Sequence, residues 1–149
     1  MFPTPLTKME YRLNDPKNRY PAIYHLENIP TLEILCRRST DYFILANKVY
    51  EQISTLLEGA VMVVYVENSL DEIAFETETT HMQLGIELRL FNERAGHPIL
   101  EFVACHNHEE ILPYLYTTYL LLHGKEYEVI SSETDQDRHV FAIYLKPTA

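Results

Sequence analysis

The longest alternation of apolar and polar side chains runs from Met82 to Leu90. There Met82, Leu84, Ile86, Leu88 and Leu90 are separated by Gln83, Gly85, Glu87 and Arg89. Successive strand side chains point to opposite faces, so this period of two predicts a strand with one buried face, interrupted at Gly85. Ala60–Val66 is apolar throughout and rich in β-branched residues, the pattern of a strand covered on both faces. Glu72–Thr79 and Ile99–Cys105 add two more strands. Glu126–Ser132 and His139–Lys146 form a terminal hairpin across Thr134–Asp137.

Two stretches show the longer period of a helix. Tyr42, Phe43, Leu45, Ala46, Val49, Tyr50, Ile53, Leu56 and Leu57 fall on one face at a spacing near 3.6, with Ser39 or Thr40 available as a cap and Gly59 as the terminator. A second helix is expected from Asn107 or Pro113 to His123, ended by Gly124, with Pro113 either starting or kinking it. Five prolines divide residues 1–36 into loops and edge strands at Met9–Leu13, Ala22–Leu26 and Thr31–Cys36. The resulting order predicts one α+β domain over residues 1–149: a mostly antiparallel, twisted sheet of about six to eight strands with two helices on one face. Leu56-Leu-Glu-Gly59 and Leu121-Leu-His-Gly124 resemble each other, as either an internal duplication or two ordinary helix ends would make them.

Charge changes the picture more than composition does. Lys plus Arg is 12 and Asp plus Glu is 22, a net charge of −10. Residues 1–59 are balanced, so residues 60–149 carry the whole excess. A surface of that sign repels phosphate backbones and argues against nucleic acid, and it favours a basic protein partner. The two cysteines are too few and too far apart for a disulfide scaffold. No leader pattern and no apolar run long enough for a membrane span is present, which predicts a cytoplasmic protein with no membrane contact. None of the four glycines forms a phosphate loop or a G-x-G-x-x-G turn.

The densest cluster of chemically capable side chains is Cys105-His-Asn-His-Glu-Glu110, where a strand gives way to a helix. On extended backbone His106 and His108 share a face. They could hold a divalent metal such as Zn²⁺, with Glu109 or Glu110 as ligand or general base, the core of a metal-dependent hydrolase. No other cofactor is implied. The competing reading makes Asn107 an N-cap, with Glu109 and Glu110 neutralising the helix start. Cys105 beside His106 is not a catalytic pair, because neighbours on a strand diverge.

Tyr114, Tyr116 and Tyr119 crowd the second helix and mark a self-association surface, a ligand pocket lined by tyrosine, or simple core packing. The sequence therefore predicts a small acidic binding or regulatory protein acting through protein–protein contacts, of inhibitor or immunity type and forming a homo-oligomer. The alternatives are the hydrolase on His106 and His108 and a binder of a small apolar ligand.

Overall fold

The computed structural model describes residues 4–69 and 80–149; the expected strand at Glu72–Thr79 lies outside them. The elements are β1 (Lys8–Leu13), β2 (Ala22–Leu26), α1 (Thr31–Arg38), β3 (Tyr42–Leu45), β4 (Lys48–Glu58), β5 (Val61–Asn68), β6 (Gly85–Leu90), β7 (Ile99–Ala104), α2 (Leu112–Tyr116), β8 (Tyr119–Leu122), β9 (Lys125–Asp135) and β10 (Val140–Pro147). Short 3-10 turns occupy Pro16–Asn18, Glu93–Ala95 and His108–Glu110.

Among the described residues all ten strands belong to one sheet, in the order β2-β1-β5-β4-β3-β9-β10-β6-β7, with β8 hydrogen-bonded to β9. The sheet is mixed rather than mostly antiparallel, because β1 with β5, β6 with β10 and β3 with β9 run parallel. It is also larger than expected, since two segments expected to be helical contribute strands.

The segment Tyr42–Leu57 is a hairpin, not a helix. Ala46 and Asn47 take φ of 51° and 61°, the left-handed turn that joins two strands, and Phe43 pairs with Tyr50 across it. A bulge at Ile53 breaks the strict alternation and leaves apolar spacings that imitate a helix. Conversely Thr31–Arg38 is a helix where a strand was expected. Pro30 precedes it, Glu33 lies in its first turn and Arg37 in its last, and these two pair at 2.9 Å. The second expected helix stops at Tyr116, and Tyr119–Leu122 continues as β8. Gly59 and Gly124 sit in hairpin turns at φ of 60° and 76°, not at helix ends.

The two halves of the chain repeat one ββαβββ unit. β6, β7, β8 and β9 each begin 77 residues after β1, β2, β3 and β4 (85 against 8, 99 against 22, 119 against 42, 125 against 48). The same shift carries Thr31, where α1 begins, onto His108, where the second helical segment begins. β10 follows β5 by 79 (140 against 61), because the β9–β10 turn is two residues longer than the β4–β5 turn.

Left-handed backbone repeats with that shift, at Arg19 and Gly96, Tyr20 and His97, Ala46 and His123, and Asn47 and Gly124. So do identities: Tyr42, Leu45, Lys48, Tyr50 and Glu51 recur as Tyr119, Leu122, Lys125, Tyr127 and Glu128, and Glu33-Ile-Leu35 recurs as Glu110-Ile-Leu112. The likeness of Leu56–Gly59 to Leu121–Gly124 belongs to a different register, and those two turns occupy different places in the unit.

Each half has its own core on the helix face. Ile34 packs with Met9, Tyr11, Phe43, Val64 and Val66; its equivalent Ile111 packs with Ile86, Leu88, Phe141, Ile143 and Leu145. Both Ile34 and Ile111 are fully buried. An approximate two-fold axis relates the halves, and near it Ser39 Oγ lies 2.7 Å from the hydroxyl of its equivalent, Tyr116.

Gly85 opens β6 against β7, where a Cβ would run into the Phe102 ring and the Val103 carbonyl. The carbonyl is backbone and cannot swing away. Gly85→Ala is therefore expected to cost about 2–3 kcal/mol in denaturant unfolding, as overpacking does. Gly59→Ala, which meets nothing within 4 Å and suffers only its φ of 60°, should cost about 1 kcal/mol.

Candidate functional site

His106 and His108 do not converge. Asn107 adopts extended backbone and accepts from the Glu110 amide at 3.2 Å, so it caps the 3-10 turn that begins at His108. That turn rotates His108 away from its neighbour. The His106 side chain is 94% exposed; the His106 backbone amide donates to Glu110 at 3.2 Å and its Nδ1 lies 3.0 Å from the same carboxyl, and these two contacts hold that carboxyl below the usual range. His108 is buried to 16% side-chain exposure, with Nε2 3.7 Å from Glu33 on α1 and its ring edge-on to Phe141. Burial lowers its pKa. Glu109 points to solvent. Among the described residues no group of three or more His, Cys, Asp or Glu side chains could hold a metal ion.

The three tyrosines also separate. Tyr114 packs on the second core, Tyr116 lies on α2 at 67% exposure, and Tyr119 is on β8 at 55%. No tyrosine lines the cavity of about 150 Å³ that contains His108; Glu33, Arg37, Thr134, His139 and Phe141 form its walls. Both thiols are buried and unpaired with each other, and burial raises each pKa, that of Cys36 to about 12. Neither is a nucleophile at neutral pH.

Two features escape a reading by segments. The first is a buried ionic network on the sheet face opposite the helices. Glu87 is fully buried, and Arg138 clasps both its oxygens at 2.8 Å, with Arg89 Nε at 2.9 Å and His81 Nε2 at 2.7 Å. Burial alone would raise the Glu87 pKa; the hydrogen bonds from Arg138 and His81 and the charge of Arg89 overcome it and bring it to about 2. Beside it Glu133 is pushed up to about 7 by burial, against a 2.7 Å hydrogen bond from Tyr144. The first half carries the same Glu-x-Arg pair as Glu10 and Arg12, 2.6 Å apart and partly exposed, with Glu58 at 3.3 Å where the second half has Asp135. A motif present in both units, once buried and once solvated, is a structural element of the unit.

The second feature is a set of exposed apolar side chains at two strand ends. Leu56, Leu57, Tyr119 and Leu121 are 44%, 61%, 55% and 72% exposed. They belong to the end of β4 and to β8. In the register of β8 and β9, Tyr119 stands opposite Glu128 and Leu121 opposite Glu126, both of them exposed carboxylates. Matching Tyr42–Glu51 with Tyr119–Glu128 would have revealed β8 as a strand and brought Leu121 to notice.

The chain matches no protein-family model, no curated protein and no solved structure. Among the described residues no helix is long and apolar enough to cross a membrane.

Proposed function

We propose that this chain is a non-catalytic cytoplasmic binding protein that captures a basic protein partner, in the manner of an inhibitor or immunity protein. The supporting observation is the pair Tyr119 and Leu121, exposed on β8 beside the carboxylates of Glu126 and Glu128, in a molecule of net charge −10. Exposed apolar side chains with a charged rim are the usual form of a protein-docking surface. Carboxylates on that rim would accelerate encounter with a basic surface and select against acidic ones.

The immobilised protein should retain a strongly basic protein such as lysozyme in preference to acidic ones, and release it in about 0.5 M salt, where screening shortens the reach of charge to a few ångströms. Glu126→Gln with Glu128→Gln should weaken that retention. Retention unaffected by both salt and this double substitution would overturn the reading, as would no retention at all.

A further inference from the structure

Among the described residues the repeat leaves one strand position unfilled. In the second unit, β9 has three neighbours: β10 along one side, with β8 and β3 in succession along the other. Its equivalent β4 has two among the described residues, β5 along one side and β3 against Lys48–Glu51 on the other. β3 crosses from one unit to the other by pairing parallel to β9, Tyr42 with Glu133, Phe43 with Thr134 and Ile44 with Asp135.

Subtracting 77 from the β9 positions gives Leu56, Leu57 and Glu58, and among the described residues no strand pairs with their outer edge. The symmetric candidate is β8, which pairs with β9 alone. The consequence appears in exposure: Ile44 is 3% exposed, whereas its equivalent Leu121 is 72% exposed.

From this we infer that the outer edge of β4 at Leu56–Glu58 is a strand-addition site. Its occupant is an extended segment of the basic partner, lying parallel to β4 as β3 lies parallel to β9. The inference rests on the proposed binding function and specifies its surface and its ligand. An unpaired edge offers backbone N–H and C=O groups to an incoming chain, and alternate side chains supply selectivity. The outermost strands β2 and β7 each start directly after a proline, Pro21 and Pro98, a residue that discourages addition at an edge; β4 from Ser54 to Glu58 contains none.

The guest side chains are specified by charge and period. Positions beside Leu56 favour apolar residues, and the exposed carboxylate of Glu58 on this edge, in a chain of net charge −10, calls for Lys or Arg. The same charge opposes a second copy of this chain, whose matching edge carries it too.

The test uses the full chain and a fluorescein-labelled peptide of alternating Lys and Val, about seven residues long, the length of a typical strand. Anisotropy should show binding that weakens at least about tenfold when Leu56→Ser and Leu121→Ser are combined, since both residues are exposed and the fold should persist. The same peptide N-methylated on alternate residues should bind at least about tenfold more weakly, because methylation deletes the donors while keeping every charge.

Equal binding of the methylated and unmethylated peptides, or indifference to the Leu56→Ser/Leu121→Ser pair, would overturn strand addition here. If lysozyme is then still retained and released by salt, the broader binding function survives that result. A doubling of mass in solution that the two serine substitutions abolish would also overturn it, by assigning the edge to a second copy.

Discussion

Glu87→Gln is expected to destabilise the fold by about 3–5 kcal/mol, the cost of removing one member of a buried ion pair. The Glu87 carboxylate is fully buried among Arg138, Arg89 and His81. A neutral amide would leave two guanidinium groups with less than their compensating charge in a region closed to water. Denaturant titration of the variant beside Glu10→Gln makes the comparison internal. Glu10 is the equivalent residue of the first unit, but its ion pair with Arg12 has side chains 26% and 22% exposed, so its loss should cost no more than about 1 kcal/mol.

The pH dependence follows from the Glu87 pKa of about 2 against an ordinary 4.5. Its stabilisation is complete above the unfolded value and is lost as pH falls from there toward 2. Similar costs for the two variants would mean that water reaches the Glu87 network. Replacing Glu87 and Arg138 together by apolar residues of similar size should recover part of the loss.

Glu133→Gln should act in the opposite direction, stabilising the protein at pH 8 and leaving it unchanged near pH 4.5. Burial raises the Glu133 pKa from 4.5 to about 7. Below the lower value the carboxyl is protonated in both folded and unfolded chains. Between the two values the unfolded chain releases its proton while the folded one retains it, so stability falls with rising pH; above 7 the penalty is constant. The shift corresponds to about 3 kcal/mol, or a melting temperature higher by about 6–12 °C for the variant at pH 8. Glutamine can still accept the hydrogen bond from Tyr144. A variant that melts lower than the parent at pH 8 would show that Arg89 and Arg138 hold the Glu133 carboxylate ionised.

The candidate sites separated according to the range of the forces that make them. Asn107 as a cap was legible because capping joins a side chain to an amide three residues away. Whether His106 and His108 converge on a metal was not, since that depends on a third ligand whose position is set by the whole sheet. The Glu87 network joins β6 to the β9–β10 turn across 51 residues, and no local pattern announces such a pairing.

The apolar residues Leu56 and Leu57 fitted a helix face in the sequence and became an exposed strand edge in the fold. Their spacing is ambiguous once a bulge at Ile53 shifts the alternation by one. A self-comparison at a shift of 77 would have resolved that ambiguity, because the Ala46-Asn47 turn then falls on His123-Gly124.

By itself the sequence determined the elements whose cause is local. β5, β6, β7 and the β9–β10 hairpin lie where alternation and β-branching placed them, and the acidic surplus lies in residues 60–149. Tertiary structure decided that Tyr42–Glu58 pairs as strands instead of coiling: β3, β4 and β5 pair with one another across short turns, and the partner that holds β3 on its other side, β9, is remote in the chain. It likewise decided that one Glu-x-Arg pair is buried and its twin solvated, and that β8 pairs with β9 and not with β4. Those outcomes depend on how two copies of a unit meet, and each copy's residues specify only the unit itself.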